Sequence, residues 1–197
     1  SQIILKRLQK NDHVIALPTD RHGRRGAETV LVRQEVGDFL SGPSPETYQV
    51  LRQLVLSSPN YRPDLDTVDQ LWRALDAGEL IQAQEISSRL VPTFLLNPRA
   101  HLGLAYLHGQ QGDERGEQFE FYFCQQVRKF LLESGDGSRQ RPYRVTSVDE
   151  VHYVAGALEA KVKQVNCEWI EGRLHDVLLT DKGELYFEVG PAVAAYA

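Results

Sequence analysis

Three arginines and an aspartate lie close together in the stretch ESGDGSRQRPYRV, residues 133–145. Arg139, Arg141 and Arg144 could bind an anion, because a guanidinium donates two parallel hydrogen bonds to a phosphate or carboxylate. Asp136, between two glycines, could belong to a metal or phosphate loop. A phosphate loop, however, has its glycines before a helix and carries a lysine and a hydroxyl, and a calcium loop has alternating acids. The stretch departs from both patterns, so the three arginines are the candidate anion-binding residues.

The same stretch also has a purely structural interpretation. It follows a predicted helix, and Gly135 can adopt the left-handed conformation that ends a helix at little cost. Gly137 gives a second flexible point, and Asp136 can accept a hydrogen bond from its own backbone in an Asx-turn. The arginines could pair with acids such as Glu133 and Asp149 instead of a ligand. The sequence favours this turn and leaves anion binding as the alternative.

A second candidate cluster combines acids and histidines of the last third of the chain. Glu150, His152 and His175 could together act as a general base or hold a metal ion. Glu150 is explained as well by a capping box that begins at Ser147, in which it returns to the backbone at the start of a helix. No hydrolase, zinc-protease, Walker or dinucleotide-binding motif occurs in the chain. The sequence therefore favours a protein without catalytic residues, metal or cofactor.

The two cysteines, Cys124 and Cys167, are too few for a disulfide framework and have no zinc-binding spacing. Two small buried side chains are the favoured interpretation. A single bridge between them is the alternative.

Charge is unevenly distributed along the chain. Residues 1–33 hold seven basic and three acidic residues, whereas the rest holds fifteen basic and twenty-four acidic ones, so a +4 head precedes a −9 body. Arg21, Arg24 and Arg25 of this head are candidate partner-binding residues. The head has no aromatic side chain on which a base could stack, which argues against nucleic acid.

The bulk composition is typical of a soluble globular protein. The chain has 197 residues, of which 42% are hydrophobic and 25% charged. No run approaches the roughly 20 apolar residues that span a bilayer. Because the sequence starts at Ser1 and contains no methionine, a cytoplasmic protein and one exported after signal-peptide removal both fit.

Periodicity divides the chain into three parts. Residues 1–43 contain the β-branched runs HVIALPTD and ETVLVRQEV and predict a basic arm or loose hairpin. Residues 44–133 have helical spacing throughout. Residues 134–197 predict a strand at YRVTS, a short helix, and a three-stranded meander. We therefore expect an α+β fold, in which antiparallel helices pack against a small antiparallel β-meander as one core.

Aromatic residues crowd the last predicted helix of the helical part. Phe119, Tyr122, Phe123 and Phe130 fit its buried side, whereas Phe121 lies about 100° from Tyr122 around the helix. Phe121 is therefore a candidate contact for a partner.

Two parts of the chain each resemble a known family. Residues 78–123, with small residues Ala83 and Ala105 at expected helix crossings, resemble about one and a half tetratricopeptide units but lack the tryptophan that begins such a unit. This resemblance implies tetratricopeptide-like packing and protein binding. The segments SGDGSRQRPYRVTSVDE and HDVLLTDKGELYFEVG resemble an uncharacterised bacterial family over roughly residues 60–190. That resemblance implies the fold and says nothing about catalysis.

The preferred function is that of a non-catalytic, accessory protein-binding module. Its partner would be another protein, bound by the helical groove or the basic arm, and its oligomeric state is left open. A bacterial accessory, secretion-linked or immunity-type protein is a plausible setting. The alternative is a small-ligand or anion-binding, hydrolase-like protein. It would use a pocket formed by Asp136, Arg139, Arg141, His152 and His175.

Overall fold

Helices make up the described residues as far as Glu133, and a sheet with one further helix follows them. The computed structural model describes residues 34–62 and 66–190. The described helices are α1 (34–41), α2 (Pro45–Ser57), α3 (Thr67–Asp76), α4 (Leu80–Ser87), α5 (Pro98–Gln110), α6 (Glu114–Glu133) and α7 (Val148–Ala157). The strands are β1 (Tyr143–Arg144), β2 (Val162–Ile170), β3 (Arg173–Thr180) and β4 (Gly183–Glu188). The predicted α+β class is confirmed.

Helix α1 corrects the predicted extended chain at the end of the N-terminal segment. Its apolar residues Val36, Phe39 and Leu40 have helical spacing and are buried. The Phe39 ring packs 6.2 Å from Tyr48 and 5.7 Å from Phe130, centroid to centroid. Burial of this apolar stripe outweighs the β preference of the run that precedes it, since β propensity depends strongly on context. Residues 1–33, with the rest of the predicted arm, lie outside the described residues.

Short polar residues begin several of the helices. Ser44 and Asn97 cap the helices that start with Pro45 and Pro98, and each side chain accepts a backbone N–H three positions on, at 3.2 and 3.1 Å. Asp66, which precedes α3, makes no such bond. Its carboxylate instead accepts hydrogen bonds from side chains one and two turns further along α3.

The sheet has four strands in the order β1-β4-β3-β2. Strands β2, β3 and β4 form the predicted antiparallel meander. Its first turn has positive φ at both Glu171 and Gly172, which matches the right-handed twist of the two strands. The fourth strand makes the sheet mixed, because β1 pairs with β4 in parallel, Tyr143 opposite Phe187. The chain leaves β1 through α7 and crosses to the far edge before the meander begins.

Helix α6 joins the helical part to the sheet. Its residues Phe123, Val127 and Phe130 belong to an apolar cluster with α1 and α2, whereas Leu131 belongs to a second cluster with α7 and the sheet. A third cluster fills the space between α3, α4 and α5. Tetratricopeptide-like packing of these helices stays a prediction. Within the described ranges, no helix combines the length and apolar character that a membrane crossing requires.

Candidate functional site

The glycine-rich stretch after α6 forms a hydrogen-bonded turn. The backbone N–H of Ser138 donates to Asp136 Oδ1 at 2.9 Å, which is the predicted Asx-turn. The N–H of Asp136 donates to the carbonyl of Arg141 at 2.9 Å, and the carbonyl of Gly137 accepts the N–H of Tyr186 at 2.9 Å. The stretch therefore connects the end of α6 to the edge of β4.

The two glycines exchange the roles predicted for them. Gly137, with φ of +78°, is the left-handed residue, whereas Gly135 lies outside that region. Gly135 is required by space, because a Cβ atom there would lie 2.6 Å from the carbonyl oxygen of Arg141. Glycine is required at position 135 because the backbone at Arg141 and Pro142 passes close to it, and the local sequence pattern does not reveal that approach.

The arginines of this turn have carboxylate partners of their own. Arg139 Nη1 lies 3.2 Å from Glu168 Oε2, and its guanidinium lies 5.8 Å from the centre of the Tyr186 ring. Arg141 Nη1 lies 3.5 Å from Asp136 Oδ2. These acids take the place of Glu133 and Asp149, which the sequence suggested, and Asp149 is bound by Arg99 instead. Each ion pair lowers the positive potential that would attract an anion.

The third arginine and the Asp136 carboxyl complete the turn. The side chain of Arg144 is exposed on β1, and its backbone N–H donates to Ser134 Oγ at 3.0 Å. Hydrogen bonds from Ser138, first from its side chain, lower the pKa of Asp136, and the charge of Arg141 lowers it further. The Asp136 carboxylate is thus stabilised by groups within its own turn.

Glu150 is fully buried and departs from the predicted capping box. Its carboxylate accepts the backbone N–H of Thr146 at 2.7 Å, the Thr146 hydroxyl at 2.6 Å and the Ser147 hydroxyl at 3.3 Å. The side chain of Ser147 makes no cap bond to α7. Burial raises the pKa of Glu150 to about 7, although the Thr146 hydrogen bonds oppose that rise. Burial also raises the pKa of Tyr48, and the charge of Glu150 raises it further.

The two histidines of the predicted cluster lie in different settings. His152 is exposed on α7, whereas His175 is buried on β3 with its Nδ1 3.0 Å from the carbonyl oxygen of Arg173. In the described ranges no hydrogen bond or ion pair joins either histidine to Asp136 or Glu150. No three His, Cys, Asp or Glu side chains of those ranges could hold one metal ion.

Two glutamates flank His175 on one face of the sheet. The register places Glu168 on β2 and Glu188 on β4 on either side of it. Arg139 binds the first glutamate, and Arg173 Nη1 lies 2.9 Å from the second. Both glutamates are thus neutralised within the chain.

A separate buried pair links α5 and α6. His101 Nδ1 lies 2.6 Å from Glu120 Oε2, and His101 Nε2 lies 2.7 Å from the carbonyl oxygen of Leu95. A carbonyl only accepts, so Nε2 carries a hydrogen. The Nδ1 contact then places one proton between the ring and the carboxyl group of this buried pair.

Among residues 34–62 and 66–190, no strand pairs with the outer side of β2, so β2 forms an edge of the sheet. The N–H of Val189 donates to the carbonyl of Leu174 at 3.1 Å, so the polar backbone groups of Leu174 face β4. Those of the next residue, His175, therefore face β2, where Glu168 is its partner. Backbone direction alternates along an antiparallel strand, so the N–H and C=O groups of Val165, Cys167 and Trp169 point away from the sheet.

The side chains of these three residues share one face of β2 and are exposed. Trp169 is 74% exposed and Val165 47%. On the neighbouring strands the same face carries the buried residues Leu178 and Phe187. The face is therefore covered at β3 and β4 but open at β2.

Sequence reasoning recognised β2 as a strand and missed its exposed edge. Alternating apolar residues predict a face that packs on the core. Only the strand order shows that this strand is an edge. The available signal was the pair Lys161 and Lys163 at its start, since lysines protect edge strands from unwanted pairing.

Other predicted partner residues have mixed outcomes. Phe121 is exposed as predicted, at 49%, and its role in binding stays a prediction. Arg21, Arg24 and Arg25 lie outside the described residues. Cys124 and Cys167 are both free thiols, so the alternative of a bridge between them is not formed. Cys124 is buried as expected, whereas Cys167 is exposed.

No protein-family model, curated protein or solved structure matches this chain. The two family resemblances of the sequence therefore stay predictions.

Proposed function

We propose that this protein is a non-catalytic binding module that pairs an extended protein segment with the free edge of β2. The observation that carries the proposal is the edge itself. Three alternate residues, Val165, Cys167 and Trp169, offer unpaired backbone groups and exposed side chains on one face. Backbone hydrogen bonds give such strand addition its affinity, and alternate side chains give it specificity.

The charge pattern supports protein binding over the anion-binding alternative. Arg139 and Arg141 each face a carboxylate of their own chain, at 3.2 and 3.5 Å. An incoming anion would have to displace Glu168 or Asp136. At the edge of β2, by contrast, an incoming strand would displace no strand of the part of the chain that the structure describes.

The test uses the backbone direction of β2. Val165→Pro removes an N–H that points away from the sheet, a position that edge strands tolerate. Trp169→Ser removes the exposed ring, and Ile81→Ser, at an 81% exposed position in α4, is the matched control. We expect a protein captured from a lysate of the source cell to be retained by wild type and Ile81→Ser and lost by both β2 variants.

Two results would contradict the proposal. Equal capture by Val165→Pro and wild type would exclude the β2 edge. Capture that is lost on deleting residues 1–33, or by Phe121→Ser, would move the binding surface to the basic arm or to α6. Thermal melts of each variant show whether lost capture reflects lost folding.

A further inference from the structure

We infer that the segment that pairs with β2 is the β2 strand of a second copy of this chain, antiparallel about a two-fold axis at Cys167. This inference rests on the proposed use of the β2 edge and names its occupant. Isologous pairing is the commonest form of protein dimer, and it requires a surface that is complementary to itself. The residues of β2 meet that requirement in one register.

The regular part of β2 is centred on Cys167. The pairing with β3 shifts between Val162 and Gln164, so undisturbed strand extends from Gln164 to Ile170. A two-fold axis at Cys167 pairs all seven of these residues with their counterparts. Only the odd-numbered ones have backbone groups directed outward, and this register places odd-numbered residues opposite one another.

The side chains complement one another in the same register. Val165 lies opposite the second copy's Trp169 at both ends of the pairing, so the two exposed apolar residues of the edge cover each other. Just beyond, Lys163 comes opposite Glu171 of the second copy. On the other face Asn166 comes opposite Glu168, an amide beside a carboxylate.

A shift of the axis to Asn166 loses this match. Trp169 would then lie beside Lys163, and Val165 would lie opposite Cys167. The pairing would also extend into the irregular region at the start of β2. The register centred on Cys167 is therefore the one that the edge favours.

Features that block edge pairing are confined to one end of β2. Lys161, Lys163 and the register shift all precede Gln164. From Gln164 to Ile170 there is no lysine, arginine or proline, and the single charge, Glu168, lies on the opposite face from Trp169. Edge strands that must stay unpaired carry such features. This edge leaves its centre open.

The contact is small, which sets the strength of the dimer. Seven paired residues and two indole rings fall below about 1,200 Å² of total buried surface, the lower bound of stable specific interfaces. We therefore expect a dimer that dissociates in the micromolar range. Removal of the tryptophan should weaken it about 30-fold, because both exposed rings of the contact are then lost.

Sedimentation velocity of the full chain across micromolar to millimolar concentration tests the dimer. We expect a monomer–dimer equilibrium for wild type and for Ile81→Ser, a dimer about 30-fold weaker for Trp169→Ser, and a monomer for Val165→Pro. A monomer at every wild-type concentration would overturn the inference, and so would a dimer that persists in both β2 variants.

Crosslinking tests the register. The two Cys167 Cβ atoms would lie about 5 Å apart, so a short bis-maleimide should join the two copies. The Cys167 thiol donates a hydrogen bond to Asp176 at 3.2 Å, which raises the pKa of the thiol, so we expect the crosslink to form more slowly than with an unpaired thiol. Cys167→Ser should abolish the crosslinked dimer. A crosslinked dimer that still forms in this variant, through Cys124, would overturn the register.

The lysate and dimer experiments separate the two proposals. A monomeric wild-type protein whose lysate partner is lost by Val165→Pro would overturn the homodimer and leave the β2 binding function intact. Unchanged behaviour of Val165→Pro in both experiments would overturn both.

Discussion

Glu150 should make the protein less stable as the pH rises from about 5 to about 8. Its fully buried carboxyl has a pKa raised from 4.5 to about 7 by burial. Between these values the folded chain holds a proton that the unfolded chain has released. The stabilising effect of that proton is complete below 4.5 and is lost as the pH rises through about 7.

The size of the effect follows from the two pKa values. Each pKa unit corresponds to about 1.4 kcal/mol, so the difference between 4.5 and about 7 corresponds to about 3 kcal/mol. This is a large part of the stability of a typical domain, which is about 5–15 kcal/mol. The effect should therefore be visible in equilibrium unfolding.

The assay is urea unfolding at several pH values between 5 and 8, with wild type and Glu150→Gln. The neutral amide has nearly the same shape, and its oxygen can still accept the Thr146 N–H. We expect the stability of the variant, relative to wild type, to rise by about 3 kcal/mol over this range. Comparison of the two proteins cancels the titration of the other groups. Glu85→Gln, at an exposed position in α4, controls for the loss of a carboxylate.

A variant whose stability relative to wild type is constant over this range would refute the reasoning. So would a glutamine variant that loses stability above pH 7. Either outcome would mean that the donors on Thr146 and Ser147 stabilise the charged carboxylate more than burial destabilises it.

Three other predictions concern contacts within single elements or pairs. Gly135→Ala should lower the free energy of unfolding by about 2 kcal/mol or more, because the added Cβ would overlap a backbone carbonyl. Gly156→Ala in α7 meets no atom within 4 Å and should raise the free energy of unfolding by about 1 kcal/mol. Thermal melts of the two variants and wild type test both. His101→Ala should lower the free energy of unfolding by about 3–5 kcal/mol, because it leaves Glu120 buried without its partner. In a double-mutant cycle measured by urea unfolding, the double variant with Glu120→Ala should lose less stability than the sum of the two single variants. Additive losses would show that the pair is not coupled. Arg139→Gln should change stability by less than about 1 kcal/mol, since its ion pair is exposed, and phosphate should not raise the melting temperature of either protein.

Local patterns predicted the elements well where the signal is local. The long aromatic helix α6, the Asx-turn at Asp136 and the meander of β2, β3 and β4 each follow from a few neighbouring residues, and the structure has them. The end of the run ETVLVRQEV shows the limit of this reasoning. The β-branched residues of the run favour a strand, but residues 34–36 lie in α1, where Val36 and Phe39 are buried in the same apolar cluster as Tyr48.

The candidate surface could not be predicted because it depends on the path of the chain. Trp169 has the spacing of a core residue on an amphipathic strand. It is exposed because β1 pairs with β4 and leaves β2 as an edge, and that order comes from a long-range contact between Tyr143 and Phe187. The partner of Arg139 and the burial of Glu150 also depend on residues that are distant in the sequence.

The position of α6 has a consequence for how the protein melts. Phe130 packs with the helices and Leu131 with the sheet, yet they are adjacent residues in a single helical turn. Neither cluster can lose its contacts to this turn without loosening the backbone that supports the other. The amide hydrogens of that turn should therefore exchange with solvent only through global opening, at the slowest rate in the chain. Calorimetry should show one transition, because the helices and the sheet unfold together.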